Sequence, residues 1–241
     1  MQETRLARSL TPSASRLPEP GNAASRKKQA RALREPFGGR TMPDTTSAGS
    51  RRGPIIISRH GRPALDRRAG PKLGWREYVG WWDRYEAGPL AEGQKAPQAL
   101  MDLVADADVV FASGRLRAQQ TAGIALPHKS AAHDPVFNEA TLPPPKFAGV
   151  KALPKTWNVL ARTAWLAGHS LGGENSKEAR LRAKIAALRL HEASAQGKVY
   201  LAAHGWFNRM LRPELRQLGW VCVEDGGDRY WSFRVYTYRG G

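Results

Sequence analysis

The sequence predicts an α/β protein, a three-layer α/β/α sandwich on a mostly parallel central sheet, and three stretches carry that expectation. The first is Ile55-Ile56-Ile57-Ser58-Arg59-His60-Gly61. Three consecutive isoleucines are stiff at χ1 and suit a strand buried on both faces, so residues 54–58 read as a central parallel strand. The second, Lys198-Val199-Tyr200-Leu201-Ala202-Ala203-His204-Gly205, is another apolar run closed by His-Gly, its His 144 positions after the first. The third, Asp108-Val109-Val110-Phe111-Ala112-Ser113, is a short strand that leads through Gly114-Arg115-Leu116-Arg117 into a helix.

In open α/β sheets ligands bind beyond the carboxyl ends of the strands, where the departing loops diverge into a crevice. Those ends carry Arg59, a fork of donors suited to an oxyanion, and His60, a nucleophilic nitrogen or base. Gly61 lets the backbone come close to a ligand. A lone His is usually structural, but two in matching strand-end contexts favour a site. Arg117 stands in the first turn of its helix, where the dipole opposes a cation. That cost makes sense if an anion is held there, although an ordinary exposed Arg has the same sequence.

The chain has 241 residues, enough for one sizeable core, and a net charge of +17. Residues 1–53 hold eleven Lys/Arg against four Asp/Glu and no Ile, Val, Trp or Tyr, so they read as a disordered basic tail. The tail has some transit-peptide character, or else translation starts at Met42. Residues 54–241, the expected catalytic domain, are also basic, at +10. A basic surface attracts phosphorylated metabolites, nucleic acid and acidic membrane alike. No helix-turn-helix or aromatic-interleaved basic stripe stands out, so a nucleic-acid partner is not expected, and no apolar run spans a bilayer or forms a secretory signal. A single Cys222 fits a reducing, cytoplasmic compartment.

Taking the folded part in order, Pro63 makes the segment after Gly61 a loop over the strand end. Residues 75–85 place Tyr78, Trp81, Trp82 and Tyr85 on one helical face, read as core packing with an aromatic substrate wall as the alternative. Gly88-Pro89-Leu90 and Gly93 form a turn, and residues 96–107 a helix with Leu100, Leu103 and Val104 inward. Glu139 follows the apolar pair Val136-Phe137, read as a strand end before a rigid Pro143-Pro144-Pro145 loop, and Asp134 is its nearby competitor. Residues 146–170 are expected to cap the cleft. Asn175 with Glu178 signals a helix start, and Leu181, Ile185 and Leu188 form its inward stripe, with Arg180, Arg182, Lys184 and Arg189 solvated. His191 near its end reads as structural, favoured there by the dipole when protonated. Residues 206–212 start a helix that Pro213 ends or kinks, and residues 230–238 alternate like a closing edge strand.

Arg59-His60-Gly61, the 113–122 segment with Arg117, Glu139 and the late His204-Gly205, in this order, resemble the histidine phosphatase superfamily, with its phosphoglycerate-mutase-like fold, over residues 54–238. Gly88-Pro89-Leu90 with Gly93 and Gly172-Gly173-Glu174-Asn175 add to the likeness. The resemblance implies that His60 attacks phosphorus and becomes a phosphohistidine, that Arg59 and Arg117 clamp the phosphoryl oxygens, and that His204 donates to them. Glu139 then protonates the leaving oxygen and later deprotonates water. Neither metal nor cofactor is implied.

Where family mutases carry a hydroxyl residue and an Asn after Arg-His-Gly, this chain has Pro63 and Asp66, with Arg62 as a compensating phosphate-binding charge. The expectation is therefore a metal-independent phosphatase for a small phosphate monoester. The alternatives are a phosphoglycerate-mutase-like phosphotransferase and a non-catalytic polyanion-binding protein, and the oligomeric state is left open.

Overall fold

The structure, a computed structural model, describes residues 52–170 and 173–240. The expected tail lies outside these residues except for Arg52 and Gly53. Those two are tied to the folded part, Arg52 Nη1 donating to His191 O at 2.5 Å and Gly53 N to Ser194 O at 2.8 Å. No described helix is long and apolar enough to cross a membrane.

Six strands form one sheet: β1 Ile55–Arg59, β2 Val109–Ser113, β3 Ala132–Asp134, β4 Val199–Ala203, β5 Trp220–Asp225 and β6 Phe233–Tyr238, in the order β3-β2-β4-β1-β6-β5. The pairs β3-β2, β2-β4 and β4-β1 are parallel, whereas β6 is antiparallel to both β1 and β5. Successive side chains on a strand face opposite ways. Ile55, Ile57, Val199 and Leu201 therefore pack on one face with Ala183, Ala187, Leu190, Phe207 and Leu211. These come from α5 Ser176–Ala193 and α6 Gly205–Gln217. Ile56, Val110 and Tyr200 pack on the other face with Leu100, Val104 and Ala122, from α2 Gln98–Val104 and α3 Leu116–Ala125. Both faces are covered, which gives the three layers and explains why the central strands are continuously apolar.

Two further helices, α1 Trp75–Ala87 and α4 Pro154–Leu166, pack on each other through Tyr78, Trp81, Tyr85 and Trp157. Tyr78 stacks on Trp157 with ring centroids 5.7 Å apart. Of the four aromatics expected on one face, Tyr78, Trp81 and Tyr85 are thus core, while half-buried Trp82 lines a cavity beside α4.

Several elements differ from their sequence reading. The C-terminal strand is internal, paired with β1 and β5, and the true edge strand β5 is one whose residues after Trp220 are exposed and give no burial pattern. Helix α6 runs through Pro213; this residue and Arg209, whose carbonyl loses its partner there, both face solvent. In α5 the capping box forms as expected, Asn175 Oδ1 accepting from Lys177 N and Glu178 N. Its inward face, however, is Ala179, Ala183, Ala186, Ala187 and Leu190, and Leu181 and Ile185 are 62% and 52% exposed. Small side chains let the helix sit close to the sheet, and the large ones are left outside. Val136 and Phe137 belong to a 3-10 turn, Pro135–Phe137, not to a strand end.

Candidate active site

The register of β1 and β4 builds the site. Arg59 lies opposite Ala203, and the next residue on each strand is a histidine. His60 N donates to Ala203 O at 2.9 Å, and the two imidazole centroids are 5.1 Å apart. β2 lies on the other side of β4, so Ser113 at its end meets His204, Oγ to Nε2 at 2.6 Å.

Arg117 reaches both rings from the first turn of α3. Its Nε donates to His60 Nε2 at 3.4 Å, and its Nη2 lies 3.3 Å from His204 Nδ1. An arginine nitrogen only donates, so Nε2 of His60 carries the lone pair and Nδ1 carries the proton that bonds Gly61 O at 2.7 Å. That tautomer presents an unprotonated nitrogen to the site. Burial, reinforced by Arg117 and Arg59, holds the His60 pKa well below the usual histidine value. Burial followed by Arg117 does the same for His204. Arg117 Nη2 likewise only donates, so Nδ1 of His204 carries the lone pair and Nε2–H donates to Ser113 Oγ, which also accepts from Arg115 N at 3.2 Å.

Arg117 is fixed from behind. Its Nη1 donates to Tyr85 O and Glu86 O, at 3.1 and 2.9 Å, and its Nη2 meets Glu86 Oε1 at 2.6 Å. Arg59 donates to Asp228 O and lies over the Tyr230 ring at 4.5 Å, while that ring stands 5.7 Å from His60. Burial lowers the pKa of Arg59.

The two glycines have uses the sequence did not reveal. A Cβ on Gly61 would meet the Trp231 indole at 2.7 Å, so this glycine makes room for Trp231. Trp231 itself holds φ +65°, a region rarely open to non-glycine residues. A Cβ on Gly205 would stand 3.0 Å from Arg59 Nε.

Glu139 lines the same cavity as Arg59, and its carboxylate accepts from the first amides of α6, Trp206 N at 3.1 Å and Phe207 N at 2.8 Å. Arg182, which reads as solvated in the sequence, fixes the chain before it by donating to Val136 O and Asn138 O while pairing with Glu174 at 2.6 Å. Asp134 is turned away, capping Val136 N and pairing with Arg189. His191 accepts from Trp220 Nε1 at 3.2 Å, and burial with Arg52 nearby lowers its pKa, so it is held neutral and not as the helix-end cation.

Arg62 is exposed, its backbone bonded to Gln94, and lines the outer part of the cleft with Asp66, Arg68 and Tyr230. The cation of that loop that turns inward is Arg67, which sequence reading passed over. It donates to Tyr230 Oη at 3.4 Å, and the Asn158 amide oxygen, turned toward it, accepts at 3.2 Å. The loop's arginines, Arg62, Arg67 and Arg68, follow no periodic pattern, so nothing in the sequence separates the inward one. Among the described residues no three His, Cys, Asp or Glu side chains converge as metal ligands.

At its strand ends this α/β sheet brings together two neutral imidazoles and two guanidiniums, a set of groups with the chemistry to hold an oxyanion. The match to a family model is narrower: residues 55–224 fit the histidine phosphatase superfamily (branch 1), and the chain belongs to that family. The fold is similar to that of phosphoserine phosphatase from Entamoeba histolytica (14% identity, 68% of this chain and 80% of that one, TM-score 0.49). A mycobacterial glucosyl-3-phosphoglycerate phosphatase is similar at 19% identity, covering 69% and 83% with TM-score 0.46. A protein of Thermus thermophilus reaches 27% identity over 76% and 92% with TM-score 0.44. No curated protein sequence matches.

Proposed function

We propose that the chain is a metal-independent phosphatase that hydrolyses a small phosphate monoester through a phosphohistidine on His60. The observation that carries the reading is the His60 tautomer, with Nδ1–H tied to Gly61 O and an unprotonated Nε2 beside Arg117. In the first half-reaction the Nε2 lone pair forms a bond to phosphorus as the phosphorus–oxygen bond to the alcohol breaks, and Glu139 gives its proton to the departing oxygen. In the second, water attacks phosphorus, Glu139 takes the water's proton, and the phosphorus–nitrogen electrons return to Nε2 as inorganic phosphate leaves. Arg59 and Arg117 stabilise the equatorial oxygens, where phosphoryl transfer needs positive charge, and His204 joins them as a donor by taking a proton from solvent on Nδ1 when the phosphate dianion binds.

Pro63 and Asp66, neither a donor to phosphate, favour water over a second phosphorylated acceptor. The single exposed Cys222 fits a cytoplasmic setting.

The test is turnover of an aryl phosphate by the parent and by His60→Ala, in the presence of a chelator. Chelator-resistant hydrolysis that disappears in the variant, with an acid-labile phosphoenzyme trapped in the parent, is expected. Hydrolysis that survives His60→Ala overturns the mechanism.

A further inference from the structure

The phosphoryl clamp leaves unexplained a second set of cations on the far wall of the cleft. A cavity of about 530 Å³ opens beside Arg59 and Glu139. One face of α4 lines it, through Lys155, Asn158, Val159, Arg162, Thr163 and Leu166, and Trp82 and Trp206 add aromatic surface. These α4 positions recur at three- and four-residue steps, so they form a single stripe turned toward the space.

Arg162 is half-buried between two indoles, its guanidinium carbon 4.7 Å from the Trp165 ring and 4.8 Å from that of Trp206. It donates only to the carbonyls of Thr141 and Ala140, each at 3.2 Å. Arg67, half-buried, reaches only the neutral oxygens of Tyr230 and Asn158. Among the described residues neither arginine nor Lys155 lies within 4.0 Å of a carboxylate, whereas Arg117, Arg182, Arg209 and Arg234 all do. Glu139, the carboxylate that acts most strongly on both arginines, already has its oxygens on the amides of α6. Burial works against the charge of Arg162 although carboxylates act on it from a distance, and an anionic ligand in direct contact offsets that cost.

We infer that the substrate is a phosphate monoester whose alcohol part carries a second anionic group, held by Arg162, Arg67 and Lys155, with a short apolar spacer against Val159 and Trp206. The inference rests on the phosphoryl site proposed above and adds the class of ester. Carboxylate and second phosphate share the chemistry these donors recognise.

The test measures affinity of the full chain for phosphonates, which resist hydrolysis: propylphosphonate, 3-phosphonopropionate and propane-1,3-bisphosphonate. At least one of the doubly anionic compounds binds tighter than propylphosphonate by about tenfold or more, the scale of one well-placed ion pair in a partly desolvated site. Whichever is preferred identifies the second group. Arg162→Gln reduces that preference to about twofold, and Lys155→Gln, a change on the exposed side of the helix, reduces it in the same direction. Equal affinity for all three compounds, no binding of any, or a preference untouched by both substitutions overturns the inference. Because nothing is cleaved, this outcome is separate from the aryl phosphate assay. A preference without turnover sinks only the catalytic reading, and turnover without a preference sinks only the second subsite.

Discussion

Glu86 Oε1 lies 2.6 Å from Arg117 Nη2 with both side chains buried, so the guanidinium that touches both imidazoles is itself held by a carboxylate on another helix. The same carboxylate takes Arg115 Nε at 3.1 Å. Glu86 thereby fixes the direction in which Arg117 points its Nε and Nη2, and makes its burial tolerable.

Glu86→Gln keeps the shape and removes the charge. Leaving the buried cation unpaired is expected to destabilise the fold by about 3–5 kcal/mol. Misplacement of the fork costs up to about a hundredfold in kcat. Urea denaturation and steady-state kinetics on the folded variant read the two effects, and parental kinetics would show that Arg117 needs no such partner.

Gly61→Ala tests why the motif ends in glycine. The new methyl would overlap the Trp231 indole, whose Nε1 is anchored to Gln94 at 3.0 Å. Trp231 N is in turn bonded to His60 O at 3.4 Å, so pushing the indole out disturbs the nucleophile's own backbone. Overpacking of this kind destabilises by about 1–3 kcal/mol, and here it also lowers turnover. A denaturant midpoint unchanged from the parent would mean the indole yields freely.

The two buried imidazoles give a signed pH dependence. Both have native pKa values well below the 6.5 of an ordinary histidine, first because of burial and then because of Arg117. The unfolded chain takes up these protons as pH falls through 6.5, while the native protein resists until the lower native values. Stability contributed by neutral burial is therefore complete above the unfolded value and lost as pH falls through the native ones. Carbon-13 histidine NMR is expected to show both rings neutral at about pH 6, below the ordinary titration point. Either ring protonated there would contradict the geometry around Arg117.

What the sequence made legible follows from how strongly each residue is constrained. Ile55, Ile56 and Ile57 are buried on two faces and admit few alternatives, so the central strand could be read directly, whereas that His60 and His204 meet was legible only as what two strands with the same ending could do. Arg117 was legible because its place at a helix start is electrostatically odd. Arg67 was not, since nothing local distinguishes it from Arg62 or Arg68, and what turns it inward is Tyr230, 163 residues later. β5 was missed because an edge strand exposed from Val221 onward has no buried face to impose a period.

The inverted face of α5 is the sharpest divergence and yields the last prediction. Sequence reading assigns the large apolar side chains inward, but the helix packs through Ala183, Ala186 and Ala187, each fully buried. Close approach of the backbone to the sheet is worth more here than the extra area of a leucine, because close packing leaves no room for larger side chains. Ala183→Leu should therefore cost about 1–3 kcal/mol by overpacking. Ile185→Gln, at a position 52% exposed, should change stability by no more than about 0.5 kcal/mol. Paired urea denaturation curves decide it. If the glutamine variant were the less stable of the two, the large residues would be the packed face after all.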